Sequence, residues 1–428
     1  MTNRVQTFAR ATVLVALLAP ALSAQSLADR VNSASASAVQ FTYSARPGVC
    51  GNGRTYIMTG NGSTYGNFSY NEITRTEPCQ NGPVRVVIDR AGRDIIAVQA
   101  YVGTPPTPAT AQDVGRVSGQ QAADYLLDIA ARTEGRVGRD AIFASSLADS
   151  ATTTDKLIAI ARNQNLSRNT RNAALSYMSW SVPAGNAVPA SAATALVSIA
   201  RDEADNQQVR QQALSVLARL EHGAGIPALI DLSKQQGYTW LAKESIAALS
   251  RSGDPRARDF LRTALQRTDL SDDVMAQVIQ SLGREYSTAQ DAALLRAAYP
   301  RVNGERSRRA IVQSVAEVGG TENVRWLMSI ARNDSSNDSR RREALDAAVR
   351  AGVSSTELVA LYDATTDQRL KETVISQLAK IGDDASVNKL ISIAKTETNY
   401  NLRRSTINRL SNSEDPRVRQ ALKDIIAR

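Results

Sequence analysis

A six-residue phrase returns along this chain at a nearly constant interval. It reads Leu157-Ile-Ala-Ile-Ala-Arg162, Leu196-Val-Ser-Ile-Ala-Arg201, Leu327-Met-Ser-Ile-Ala-Arg332 and Leu390-Ile-Ser-Ile-Ala-Lys395. Weaker copies start at Leu229, Leu261, Leu294, Leu358 and Leu422. The fourth residue of each copy stands at 160, 199, 232, 264, 297, 330, 361, 393 and 425, so every gap but the first is 31–33 residues, and the first is 39. A fixed period of this size marks an array of stacked supersecondary units. One unit cannot bury its apolar face alone, so the array needs about three or more to be stable. Ile129 stands 31 residues before Ile160, which carries the register back to about residue 119.

A second helical pattern lies between the copies, as in Arg171-Asn-Ala-Ala-Leu175, Arg210-Gln-Gln-Ala-Leu214 and Lys371-Glu-Thr-Val-Ile375. Its apolar residues recur at three- and four-residue steps, which marks one buried face. Each unit is read as this helix first and the phrase helix second. Ser252-Gly-Asp-Pro255, Gly319-Gly320, Gly382-Asp-Asp384 and Ser413-Glu-Asp-Pro416 punctuate them. Gly closes a helix and Pro opens the next. The long gap holds Ser181–Ala190, with two prolines and a glycine, read as a surface loop.

The pattern Arg-x-x-Ala-Leu, then Gly-Asp-Pro, then Leu-x-x-Ile/Ala runs best through Ala242–Leu265, Lys371–Lys395 and Arg403–Ile426. It resembles the HEAT family, in particular the short HEAT-like repeats named after phycobilisome lyases. The resemblance covers about residues 119–428. It implies an α-solenoid, a right-handed superhelix of about nine to ten stacked helical hairpins, and a binding scaffold rather than an enzyme. Nothing in the sequence marks a bilin-handling site, so the lyase activity is not implied. Met275 stands where the repeat Arg is expected, and Ala264 and Ala297 replace larger aliphatics.

The N-terminal part is different. Arg4 and Arg10 precede the apolar run Ala11–Ala19 and the small residues Ala21-Leu-Ser-Ala24, the pattern of a secretory signal over 1–24. Residues 25–102 read as a small β-rich domain: Pro83–Asp89 and Asp94–Val102 are strand-like runs around a Gly-containing turn. Residues 103–118 read as a Pro-rich linker, and 119–428 as the solenoid. Cys50 and Cys79 are the only cysteines, and in an exported chain a pair reads as a disulfide. Two cysteines and the single His222 cannot complete a zinc site. Two readings of the β module remain open: a cover for the first repeat, or a separate binding domain.

The formal charge is +9, and almost all of the excess lies in the repeats, since residues 25–115 hold seven basic and six acidic groups. Arg162, Arg201, Lys234, Arg332 and Lys395 end the phrase helices and are the candidate partner-binding cations. Cations there also favour the helix dipole. Arg171, Arg210, Arg308, Lys371 and Arg403 start the other helices, where the dipole argument has the wrong sign. They are read as a structural ladder matched by Asp254, Asp383 (or Asp384) and Asp415.

His222 has no nucleophile elbow or Cys partner, and phosphate-loop and His-Glu-x-x-His motifs are absent. No catalytic residue, metal or cofactor is expected. The sequence points to an exported, non-enzymatic scaffold, periplasmic or secreted, that holds a protein partner along its concave surface. Nucleic acid is not an expected partner, and no membrane span is expected. A binder of an anionic envelope polymer or membrane surface, or an enzyme whose site no motif reveals, are the other readings.

Overall fold

The structure is a computed structural model that describes residues 25–54, 56–59, 64–65, 79–104, 110–178, 188–235, 237–284, 286–333 and 338–427. The leader reading and most of the 181–190 loop reading fall outside the described residues. The chain divides into two compact units, one ending at Lys156 and one starting at Leu157.

In the first unit, helix α1 (Leu27–Ser33) precedes a four-stranded sheet in the order β6 (Asp94–Val102), β5 (Val84–Ala91), β1 (Ala38–Tyr43), β7 (Gln112–Arg116). β5 pairs antiparallel with β1 and β6, and β7 runs parallel to β1. Composition placed residues 112–116 in the linker, yet they close the sheet's edge as β7. A smaller sheet joins β2 (Cys50–Gly51), β3 (Ile57–Met58) and β4 (Thr64–Tyr65). Gly51 is required where the two sheets approach: a Cβ there would stand 2.6 Å from the Val102 carbonyl oxygen.

Cys50 and Cys79 are bonded, with 5.3 Å between their Cα atoms, closing a separation of 29 residues. Such a loop is worth roughly 3–4 kcal/mol in the chain-entropy model. Reduction is therefore expected to lower the denaturation midpoint of the N-terminal unit while leaving the helical circular dichroism of the repeats intact. Collapse of the helical signal on reduction alone would contradict that confinement.

Strand alternation puts Val39, Phe41, Tyr43, Val84, Val86 and Ile88 on one fully buried face. This module covers the first helical hairpin, α2 (Gly119–Ala130) and α3 (Gly135–Ser146). Phe41 meets Tyr125 edge-on at 6.2 Å between ring centres. The Tyr43 hydroxyl donates to the Ala144 carbonyl at 2.5 Å, Arg46 N–H to Leu147 O at 2.9 Å, and Asp149 N–H to Ser44 O at 3.0 Å. These bonds tie the end of β1 to the C-terminal end of α3 and the turn after it.

In the second unit the phrase helices are α4 (Thr154–Arg162), which begins just before it, α6 (Ala193–Arg201), α8 (Ile226–Ser233), α10 (Pro255–Ala264), α12 (Ala289–Ala298), α14 (Thr321–Asn333), α16 (Ser355–Ala364), α18 (Asp384–Thr396) and α20 (Pro416–Ile426). They alternate with α5 (Arg168–Met178), α7 (Gln207–Leu217), α9 (Thr239–Arg251), α11 (Asp272–Leu282), α13 (Glu305–Val318), α15 (Asp338–Arg350), α17 (Gln368–Ile381) and α19 (Tyr400–Leu410). From α6 to α18 each phrase helix packs most extensively on the helix that follows it, not the one before. The hairpin is thus phrase helix first, opposite to the phase read from the sequence.

The Leu and Ile of the phrase are core residues: Leu196, Ile199, Leu390 and Ile393 are all buried. Each such side chain contributes about 1.5–3 kcal/mol relative to exposure. One continuous apolar core runs from Ala242 to Val418. The helices that follow the phrase pack directly on one another at every step from α5 to α19, whereas only some successive phrase helices touch to a similar degree. In a bent two-layer stack the closer-spaced layer is the inner one, so α5, α7, α9 and their equivalents form the inner face. Among the described residues no helix is long and apolar enough to cross a membrane.

Candidate functional site

In five hairpins the turn is sealed by an arginine from the start of the inner helix, Arg171, Arg210, Arg308, Arg341 or Arg403. Arg171 is buried; its Nε donates to the Ala161 carbonyl at 2.7 Å, and its two terminal nitrogens reach Asp205 at 2.6 and 2.5 Å. Ala161 is the penultimate residue of the phrase, and Asp205 belongs to the turn of the next hairpin. One side chain therefore closes its own turn and stitches it to its neighbour. Burial pushes the Asp205 carboxyl up, but hydrogen bonds from Arg171 and the Asn206 amide outweigh it and hold it below the usual range.

The same device recurs with different partners. Arg210 donates to the Ala200 carbonyl at 3.1 Å, but a Tyr stands where the acid would be: its guanidinium bonds Tyr238 Oη at 2.5 Å and lies 4.6 Å from the Trp240 ring centre. Arg341 donates to the Ala331 carbonyl at 3.1 Å and pairs with Asp367 at 3.2 Å. Arg308 seals its turn through the Val302 carbonyl at 2.7 Å, and Arg403 through the Glu397 carbonyl at 2.9 Å. Lys371 lies 4.0 Å from Glu397 and over the Tyr362 ring. Arg341, Asp205 and Asp367 escaped the sequence reading. Their signal was spacing, since the sealing Arg stands ten residues after the phrase Ala at 171, 210 and 341.

Asp254, Asp383 and Asp415 do not meet those cations. They sit at the other edge, in the turns between hairpins, and cap phrase helices. Asp254 accepts the Arg256 amide at 2.8 Å, Asp383 the Ser386 amide at 2.8 Å, and Asp415 the Arg417 amide at 2.8 Å. Each also reaches the preceding repeat, directly or through a neighbour. Ser355 donates to Asp383 at 2.6 Å. Arg256 pairs with Asp254 and donates to the His222 carbonyl at 3.0 Å, and Arg417 joins Asp415 to Asp384. His222 contributes its backbone at a turn with φ 52°.

The five phrase-end cations are exposed at the outer layer's C-terminal ends. Lys234 pairs with Asp231 at 3.5 Å and Lys395 with Asp424 at 3.2 Å. Arg162, Arg201 and Arg332 have no side-chain partner among the described residues.

A cleft of about 190 Å³ opens between hairpins, walled by Leu249, Pro255, Leu261 and the exposed Tyr286. Below it lies Asp291, fully buried. It accepts Arg258 Nη2 at 2.7 Å, Arg262 Nε at 2.8 Å, and the Thr288 hydroxyl and amide at 2.7 and 2.9 Å, so that α10 is tied to α12. Burial raises its pKa, and the bonds from Arg262, Thr288 and Arg258 more than reverse this, holding it at about 2. With its oxygens taken by these donors, Asp291 is a structural tie and not a free acid or base.

A third basic series was missed entirely. Arg219, Arg251 and Arg284 lie at the C-terminal ends of the inner helices α7, α9 and α11 and are exposed. Among the described residues no cluster of three His, Cys, Asp or Glu side chains is placed to hold a metal ion.

Residues 193–283 match the family model of HEAT repeats. Human deoxyhypusine hydroxylase in complex with glycerol is 16% identical over 56% of this chain and 96% of its own, with a TM-score of 0.27. The complex of CpcE and CpcF of phycocyanin lyase from a Nostoc species is 17% identical over 64% of this chain and 95% of its own, with a TM-score of 0.22. No curated protein gives a significant match.

Proposed function

We propose that this chain is an exported, non-enzymatic HEAT-repeat scaffold whose inner face holds a protein partner. The observation that supports this most is the unbroken inner layer, α5 to α19, in which every helix packs directly on the next. At about 8–10 Å per step, such a layer offers one long surface to an extended partner. The buried charges are already committed to stitching hairpins together, as at Arg171 with Asp205 and at Asp291 with Arg258 and Arg262. The exposed inner side chains remain available.

The disulfide supports export, because such bonds persist in oxidising compartments. N-terminal sequencing of the protein isolated from its host is expected to find a chain starting near Gln25; retention of Met1 would overturn export. Partner binding is tested by crosslinking the full protein in its host and identifying the adducts, with and without residues 255–318. Loss of a discrete protein adduct on removing these two hairpins is the expected result. An adduct pattern unchanged by removing them, or no protein adduct at all, would overturn the reading.

A further inference from the structure

We infer that Arg219, Arg251 and Arg284 form a single recognition row for an acidic, extended segment of the protein partner, with carboxylates spaced about three residues apart. The inference rests on the scaffold reading above and adds the chemistry of what is held.

The three residues are repeat equivalents, 32 and 33 positions apart, each nine residues after the ladder position at 210, 242 and 275. Their helices, α7, α9 and α11, pack directly on one another. Guanidinium groups in such a row are therefore about 10 Å apart, the spacing of neighbouring helix axes. Three residues of extended chain also span about 10 Å. Arg219 and Arg284 have no side-chain partner among the described residues, and Arg251 has only a long bond to Ser215 Oγ, 3.5 Å.

The charges of the two outer arginines reach the central one. Burial lowers the pKa of Arg251, Glu244 pushes it back up, and the charges of Arg219 and Arg284 lower it further. Glu244 is itself held by Gln211 at 2.8 Å, and Glu221 by the Ala190 amide at 2.9 Å. A helix C-terminus accounts for one cation at each position. It gives no reason to line up three that repel each other.

Two further features select a short peptide over a long uniform polyanion. The equivalent position on α13 is Glu317, which ends the row after three steps. Tyr286, two residues beyond Arg284, walls the apolar cleft beside Leu249, Pro255 and Leu261. That cleft has room for one apolar side chain of the same segment.

The probe is a fluorescein-labelled peptide with Glu at every third position and one Leu at its end, titrated into the full mature chain at about 50 mM salt and followed by anisotropy. Arg219→Glu, Arg251→Glu and Arg284→Glu combined should weaken binding by about tenfold or more, as expected for three exposed pairs turned repulsive. The same charge change at Arg162, Arg201 and Arg332 should move it by less than about twofold. Tyr286→Ala should weaken the Leu-bearing peptide but not one lacking Leu. Unchanged circular dichroism qualifies each variant, and single Arg→Gln changes replace the triple variant if it fails to fold. Equal loss from both charge-reversed triples would reduce the effect to net charge and overturn the row. Binding of polyphosphate or phosphatidylglycerol vesicles without binding of the peptide would overturn it too. If the row variant keeps the native protein adduct in the host, the row fails and the scaffold stands. If no protein adduct exists in the host, the scaffold reading fails.

Discussion

Replacing Asp291 with Asn is expected to destabilise the repeat unit by about 3–5 kcal/mol, the cost of breaking a buried ion pair by removing one partner. Asp291 is fully buried and ties Arg258 and Arg262 to Thr288 at the start of the next phrase helix. Asn keeps the shape but removes the charge, leaving Arg258 largely buried without a counter-ion. The wild-type carboxyl titrates at about 2 in the folded chain against 3.8 ordinarily. A depressed folded pKa gives stability that is present above about pH 4 and is lost as pH falls toward 2. Urea midpoints measured from pH 6 down to pH 2 should therefore converge for the two proteins in acid. Equal midpoints at pH 6 would show that the tie contributes nothing.

Asp205→Ala is expected to cost a similar amount, about 3–5 kcal/mol. Both partners are almost completely buried, and the substitution strands the Arg171 guanidinium with only the Ala161 carbonyl. Asp205→Ala combined with Arg171→Met is expected to cost less than Asp205→Ala alone, because a long apolar side chain then replaces the stranded guanidinium and neither charge stays buried. Thermal unfolding of the pair decides it. A double variant less stable than Asp205→Ala would show that the Arg bond to the turn carbonyl, not the ion pair, is the larger effect. Asp254→Ala, which removes a helix cap beside an exposed Arg256, should cost only about 1 kcal/mol.

Much of this fold was legible because apolar burial is periodic. The Leu and Ile of the phrase must face the core in every copy, so their spacing reports the repeat. The hairpin phase was not legible, because periodicity does not say which neighbour lies closer. The ladder was read in kind but with the wrong acids. Asp254, Asp383 and Asp415 stand out beside Gly and Pro, yet those turns lie at the opposite edge from the arginines. Asp205, the actual partner, sits in Ala204-Asp-Asn206 with no such marker. β7 escaped because Gln112-Asp-Val-Gly-Arg116 lacks a β-branched alternation and is held as a parallel edge by β1. The row at Arg219, Arg251 and Arg284 was hidden by its ordinariness, since a cation at a helix C-terminus is common. Only the stacking of α7, α9 and α11 turns three such residues into neighbours.

The central claim is that the inner layer is the face that holds a protein partner. Photo-crosslinking residues placed singly at Gln211 and Gln313 on the inner helices, and at Ser198 and Ser329 on the phrase helices, test it in the living host. All four positions are exposed, so each can report whatever lies against it. The expected result is one discrete protein adduct from Gln211 and Gln313 and none from Ser198 or Ser329. Adducts from the phrase-helix positions alone, or from none of the four, would contradict the account.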